Sequence, residues 1–68
     1  MLDDELRVVA DALAAGHPLE PRHRDHALVG NWLGRRDCHL RPNLVLIYRV
    51  TPDSIEFLRL GSHSDLFE

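Results

Sequence analysis

Residues 35–60 read RRDCHLRPNLVLIYRVTPDSIEFLRL, and this stretch decides the fold. Turn-forming residues interrupt it as RPN at 41–43 and as TPDS at 51–54, because proline, asparagine and aspartate favour tight turns. The segments 35–40, 44–50 and 55–60 lie on either side of these turns. The middle segment is rich in β-branched and aromatic residues, as central strands are. The stretch therefore predicts a three-stranded antiparallel meander.

The first predicted strand alternates between two kinds of side chain, since successive residues of a strand point to opposite faces of a sheet. Asp37 and His39 share one face, while Cys38 and Leu40 share the other. The central strand is largely apolar on both faces. One short helix cannot cover both faces, so we expect a further segment or a partner protein to cover part of the sheet.

A helix is predicted before the sheet, followed by a loop. Gly16 and Pro18 predict the end of the helix, because glycine adopts the left-handed cap conformation and proline cannot continue a helix. Residues 17–30 predict an ordered loop with a short turn near 25–28, and residues 62–67 predict a short C-terminal turn. We thus expect a single α+β domain over residues 1–68, with one helix packed on a three-stranded antiparallel sheet. The apolar stripe that predicts the helix recurs at spacings of four, three and four, and consists of Leu2, Leu6, Val9 and Leu13.

Composition limits the classes of protein to which the chain can belong. A chain of 68 residues buries only about 60% of the surface that its unfolded form exposes, so we expect it to depend on a partner for stability. Cys38 is the single cysteine, which excludes an internal disulfide and indicates a reducing, cytoplasmic environment. No apolar run approaches the roughly 20 residues that cross a bilayer.

The net charge is −3, yet six of the eight basic residues, all arginines, lie between Arg22 and Arg49, which permits RNA binding.

The chain has five histidines, which is unusually many for its length. Histidine gives or takes a proton near neutral pH. Cleaving RNA needs only a base for the ribose 2′-hydroxyl, an acid for the departing 5′-oxygen and a cation for the phosphate. His39 and His63 are expected at the same end of the sheet, because the first and third strands of a meander run parallel. Arg59 precedes His63 by four residues and is a candidate for the cation.

Two other interpretations of these side chains stay open. A histidine is more often a surface or structural residue than a catalytic one. A zinc site is the second interpretation, but its spacings match no common zinc pattern, and we expect no metal and no other cofactor. The ligands of such a zinc site would be His17, His23, His26 and Cys38.

An ordered series of short motifs runs through the chain after the helix. It comprises RDHALVGNW at 24–32, RDCHL at 36–40, LIYR at 46–49 and RLGSHSDLF at 59–67. In this order the series resembles YafQ-like toxins of the RelE/ParE superfamily. The resemblance implies a RelE-like fold and an endoribonuclease, an mRNA interferase, that cleaves messenger RNA in the ribosomal A site as the toxin half of a type II toxin–antitoxin pair. The partners that it implies are a cognate antitoxin, the ribosome and messenger RNA.

The resemblance also implies roles for individual residues. It assigns proton transfer to the histidines and placement of the substrate to Phe67. The positions that match family active-site residues are His26, His39, His63, Phe67 and Asn43. The positions expected to contact RNA phosphates are Arg59, Arg36 and Arg24.

The chain departs from the family pattern in two ways. Asn43 stands where the family has an aspartate counted among its catalytic residues, and asparagine cannot exchange a proton. The loss of a proton-transfer group typically costs roughly 10²–10⁴ in rate. The family also begins with a strand and a helix that we interpret as absent here. These departures support an alternative hypothesis, in which the chain is a truncated or attenuated toxin that acts only as an antitoxin-binding module.

Overall fold

The computed structural model describes residues 2–67 as a four-stranded antiparallel sheet with a helix before it and a short helix after it. The strands follow one another in the order β1-β2-β3-β4. Two short 3-10 turns, Pro21–His23 and Gly30–Trp32, lie within the loop that precedes β2. The elements are α1 (Leu2–Ala14), β1 (His26–Ala27), β2 (Arg36–Arg41), β3 (Leu44–Val50), β4 (Ile55–Gly61) and α2 (His63–Phe67).

The predicted helix and the predicted meander are confirmed, and the sheet gains one strand. Residues 17–30 were expected to form only a loop, but His26 and Ala27 pair with Asp37 and Arg36. A strand of two residues has no periodicity that could reveal it, since alternation needs at least four residues to be visible. The expected C-terminal turn is the helix α2.

Helix α1 ends as its sequence predicts. Gly16 adopts a left-handed conformation with φ of 72°. Its amide donates to the carbonyl of Leu13 at 3.1 Å, and the amide of His17 donates to the carbonyl of Ala12 at 2.9 Å. This pair of bonds is a Schellman motif, which satisfies carbonyl groups that the end of a helix leaves open.

One face of the sheet, which we call the helix face, forms the core with α1. Cys38, Leu46 and Tyr48 lie on it and are buried together with Val9 of α1. Burial raises the pKa of the Cys38 thiol to about 12. The other face carries His39 and its neighbours, and we call it the open face. The side chain of Leu2, the first residue of the predicted stripe, lies outside the described part of the structure. Partly buried apolar residues extend the helix-face core: Leu6, Leu13, Leu19, Leu44 and Ile55.

A hydrogen-bonded triad fixes the loop at the end of the helix face. Arg36 donates to both carboxylate oxygens of Asp25, from Nε to Oδ1 and from Nη2 to Oδ2, each at 3.2 Å. The buried Tyr48 hydroxyl also donates to Oδ1 of Asp25. The bond to Asp25 raises the pKa of Arg36, and burial raises the pKa of Tyr48. The triad thus holds the chain immediately before His26.

A β-bulge in β4 changes which residues face which side. Tyr48 pairs with Phe57, but the preceding residue of β3, Ile47, pairs with Arg59. Leu58 is therefore the extra residue, which the partner strand does not match. Because of the bulge, Arg59 lies on the open face opposite Ile47.

Candidate active site

The open face brings side chains from three strands into register at one end of the sheet. His39 of β2 pairs with Val45 of β3, which pairs with Gly61 of β4. In the adjacent row Asp37 pairs with Ile47, which pairs with Arg59. Val45 and Ile47 are fully buried and form the floor of this surface. The polar side chains of the two outer strands therefore flank an apolar floor.

Helix α2 places two aromatic rings over this end of the sheet. Its start is fixed by reciprocal capping bonds, in which the amide of Asp65 donates to Oγ of Ser62 at 3.2 Å and the amide of Ser62 donates to Oδ2 of Asp65 at 3.3 Å. His63 and Phe67 are four residues apart and share one side of the helix, with ring centroids 4.8 Å apart. The ring of His63 also meets that of His39 edge to face at 6.0 Å. The cap thus positions His63 beside His39.

Asp37 is a buried carboxylate at the centre of the histidines. It is 1% exposed, and burial raises its pKa, while the charges of His26, His39 and His63 act in the opposite direction. Nε2 of His26 lies 2.8 Å from Oδ1 of Asp37, although the geometry between these atoms is not that of a normal hydrogen bond. Nδ1 of His26 lies 3.1 Å from the carbonyl oxygen of Ala27. When Nδ1 donates to this carbonyl, the contact between Nε2 and Oδ1 is favourable only with a proton between the two atoms.

The structure brings most of the predicted catalytic residues together. His26, His39, His63 and Phe67 all border the open face. Arg59 lies on the same face because of the bulge and is exposed. Its Nη1 donates only to the carbonyl of Leu58, at 3.1 Å, among the bonds of the described residues. The guanidinium is therefore available to an anion.

Three other predicted residues lie elsewhere. Arg36 is on the helix face, where its guanidinium is held by Asp25, so the structure places it apart from the histidines. Asn43 is exposed in the turn between β2 and β3. Arg24 is exposed beside the 3-10 turn, where it closes that turn with φ of 47°. For these residues the roles in RNA binding or catalysis stay predictions.

The sequence analysis did not propose Asp37 as a site residue. The signal was present, because alternation along β2 places Asp37 on the same face as His39, two residues away. What alternation cannot show is that β1 pairs beside Asp37 and brings His26 onto it. The burial of Asp37 and its contact with His26 both depend on that pairing.

The histidines and the cysteine do not form a metal site within the part of the chain that the structure describes. Among the side chains that the structure describes, those of residues 4–67, no group of three or more His, Cys, Asp or Glu residues is arranged to hold a metal ion. His23 and Cys38, two of the ligands weighed for zinc, are each buried. Across the same residues, no helix is long and apolar enough to cross a membrane.

Comparison with protein families finds one matching model. Residues 2–68 match the family described as the bacterial toxin of a type II toxin–antitoxin system, YafQ. The chain is 44% identical over 50 residues to the mRNA interferase toxin YafQ of Escherichia coli K12, which covers 74% of this chain and 54% of that protein. It is 49% identical over 51 residues to a putative toxin YafQ of Haemophilus influenzae, covering 69% of this chain and 50% of that protein. The chain thus spans about half the length of these curated relatives.

Solved structures agree with this match. A copper-bound mutant toxin from Helicobacter pylori superposes with a TM-score of 0.91 at 46% identity, over 96% of this chain and 74% of that one. The Escherichia coli DinJ–YafQ complex gives a TM-score of 0.83 at 35% identity, over 96% of this chain and 73% of that one. The arrangement of sheet and helices is therefore that of these toxins.

Proposed function

The chain belongs to the YafQ family of bacterial type II toxins, and from this premise we propose that it is an endoribonuclease that cleaves messenger RNA on the ribosome. The relative in Escherichia coli is named an mRNA interferase, and a related structure is a complex of YafQ with DinJ. We propose by the same argument that a cognate antitoxin neutralises this chain in the cytoplasm. The observation that carries the proposal is the grouping of three histidines and a buried carboxylate on one open face.

The chemistry follows from the positions of these groups. A base removes the proton of the ribose 2′-hydroxyl, the 2′-oxygen forms a bond to phosphorus, and the bond from phosphorus to the 5′-oxygen breaks. An acid gives a proton to the departing 5′-oxygen, and a 2′,3′-cyclic phosphate remains. His39 and His63 lie edge to face with ring centroids 6.0 Å apart, so both rings can reach the oxygens of a phosphate bound beside the pair. We assign the base and the acid to this pair.

The remaining groups support that reaction. Arg59 is exposed on the same face and would stabilise the negative charge that grows on the phosphate. Asp37 lies 2.8 Å from the ring of His26 and would orient that ring. Phe67 packs against His63 and is 37% exposed, so it can stack on a base of the substrate while orienting the histidine.

The test is a cleavage assay on messenger RNA bound to ribosomes, with growth as a second measurement. His63→Ala should reduce cleavage by roughly 10²–10⁴ and relieve growth arrest, because it removes a proton-transfer group. His17→Ala is the matched control, since His17 is exposed in the loop after α1 and outside the cluster. Equal cleavage by the His63→Ala variant and the parent chain would contradict the role of His63.

Asn43 supports a second candidate function, an antitoxin-binding module with little cleavage of its own. The residue is exposed in the turn between β2 and β3 and lacks a titratable proton. If this candidate holds, expression of the chain should leave growth unchanged and should protect cells against an active relative by binding its antitoxin. Asn43→Asp should then restore cleavage. No gain in that variant would mean that position 43 does not limit activity.

A further inference from the structure

A cavity of about 340 Å³ lies at the edge of the sheet. It is bounded by α1, by the 3-10 turn Pro21–His23 and by the end of β2. His39 lines it as well as belonging to the histidine cluster. The cavity therefore adjoins the candidate active site, and its volume is at the lower end of the range of small-ligand sites.

Two side chains of the cavity have buried polar atoms without a partner. His23 is 2% exposed, and neither Nδ1 nor Nε2 has a hydrogen-bond partner among the described residues. Oε2 of Glu5 is also buried and unpartnered, with Nη1 of Arg22 at 3.9 Å. Burying such groups costs free energy unless something bonds to them. A ligand with hydrogen-bond donors and acceptors would remove that cost.

Two arginines give the cavity a positive rim. Arg24 and Arg41 line it and are exposed, and neither forms a salt bridge among the side chains of residues 4–67. Arg22 differs, because it contacts Glu5 and lies 3.3 Å from Glu20. An anion alone would bind at the rim but would meet the carboxylate of Glu5 inside. The arrangement fits a ligand that has an anionic group at one end and amino donors at the other.

We propose that the cavity binds one nucleotide of the substrate RNA, adjacent to the nucleotide that is cleaved. Its phosphate lies against Arg24 and Arg41, and an exocyclic amino group of its base donates to Glu5 while His23 bonds to the same base. Cytosine, adenine and guanine carry such an amino group, and uracil does not. The site would therefore select bases with an amino group. This inference rests on the proposed function, since it takes RNA as the substrate.

The experiment titrates the full chain with 5′-CMP, 5′-AMP, 5′-UMP and inorganic phosphate, and follows the ring resonances of His23 by NMR. CMP and AMP should shift these resonances with a dissociation constant roughly tenfold lower than that of UMP. Arg41→Ala should weaken CMP binding at least about threefold, since a charge-assisted bond is lost. Arg7→Ala, which removes an exposed arginine of α1 outside the cavity, should leave it unchanged.

Glu5→Gln tests the role of the Glu5 carboxylate while nearly preserving the shape of the side chain. Its amide oxygen is a weaker acceptor than a carboxylate, so the preference for CMP over UMP should shrink. Equal binding of CMP, UMP and phosphate would overturn the proposal, as would equal weakening by Arg41→Ala and Arg7→Ala. The titration involves no cleavage, so an inactive chain that still binds CMP contradicts only the proposed catalysis. A chain that cleaves RNA but shows no shift at His23 contradicts only the nucleotide site.

Discussion

The two faces of the sheet have the same strands but opposite chemistry. On the helix face, Cys38, Leu46 and Tyr48 pack with α1, and the polar Asp25 is held by Arg36 and Tyr48. On the open face, the buried Asp37 has only the charge of histidines to oppose its desolvation. The helix face thus contributes to stability, whereas the open face keeps a costly carboxylate, for which the proposed function supplies a role in chemistry.

His39→Ala, on the open face, should show the largest difference between its effect on cleavage and its effect on stability. Cleavage should fall by roughly 10²–10⁴, because a proton-transfer group is removed. The free energy of unfolding should change by less than about 1 kcal/mol, since the side chain is only partly buried. Cleavage of ribosome-bound messenger RNA and urea unfolding measure the two effects. A large loss of stability in this variant would show that the open face is also structural.

Leu46→Ala, on the helix face, should lower the stability and leave the cleavage rate of the folded protein unchanged. Removing a buried leucine typically costs about 2–5 kcal/mol, and Leu46 is 2% exposed in the core. Urea unfolding should show the loss, and at low temperature the folded fraction should retain its cleavage rate per folded molecule. A specific loss of cleavage in the folded fraction would mean that the two faces are coupled more tightly than their contacts indicate.

Tyr48→Phe removes one hydroxyl from the triad that fixes the loop before His26. The expected loss is about 1–2 kcal/mol in the free energy of unfolding, since a hydrogen bond to a charged group disappears while Arg36 still holds Asp25. The ring resonances of His26 should broaden or shift, because its neighbour Asp25 is less firmly held. Tyr48→Phe with an unchanged His26 signal would show that the triad acts on stability alone.

Asp37→Asn should have the smallest effect on stability, and it should raise the free energy of unfolding rather than lower it. The folded state raises the pKa of Asp37, so the folded protein binds its proton more readily than the unfolded chain does. The carboxylate therefore lowers stability as pH rises from the ordinary value of 3.8 through the folded pKa. The variant should be slightly more stable than the parent at neutral pH, and the difference should vanish near pH 3. Cleavage should fall at the same time, because His26 loses its carboxylate.

The sequence predicted those parts of the fold that depend on local pattern. The stripe of α1, its glycine cap and the three long strands each follow from spacing and turn chemistry. The strand β1 did not, because two residues carry no pattern and their pairing with Asp37 and Arg36 is a tertiary contact. The same limit applies to the candidate site. Resemblance placed the histidines by position, but the burial of Asp37 between them depends on β1.

Arg36 illustrates a conflict between two kinds of prediction. Its charge and its place among the arginines suggested a phosphate contact, whereas alternation along β2 put it on the same face as Cys38. The structure follows the alternation, and Asp25 accepts bonds from the guanidinium, while a phosphate contact by Arg36 stays a prediction. Alternation along the strand decides on which face of the sheet a side chain lies, and the charge of the side chain does not.

The extra residue in β4 has a consequence for how this strand can vary. Ahead of Leu58, odd-numbered positions such as Phe57 lie toward α1, and beyond it the parity is inverted, so that Arg59 lies toward the histidines. The alternation of this strand is thus offset by one residue at Leu58. Deleting the codon for Leu58 would place Arg59 directly after Phe57 in regular alternation, so the arginine would stay on the open face and Leu60 on the helix face. Regular pairing of the same sequence without the bulge would instead turn Arg59 onto the helix face and Leu60 toward the histidines. The bulge, rather than the length of the strand, therefore decides the face on which the cation lies.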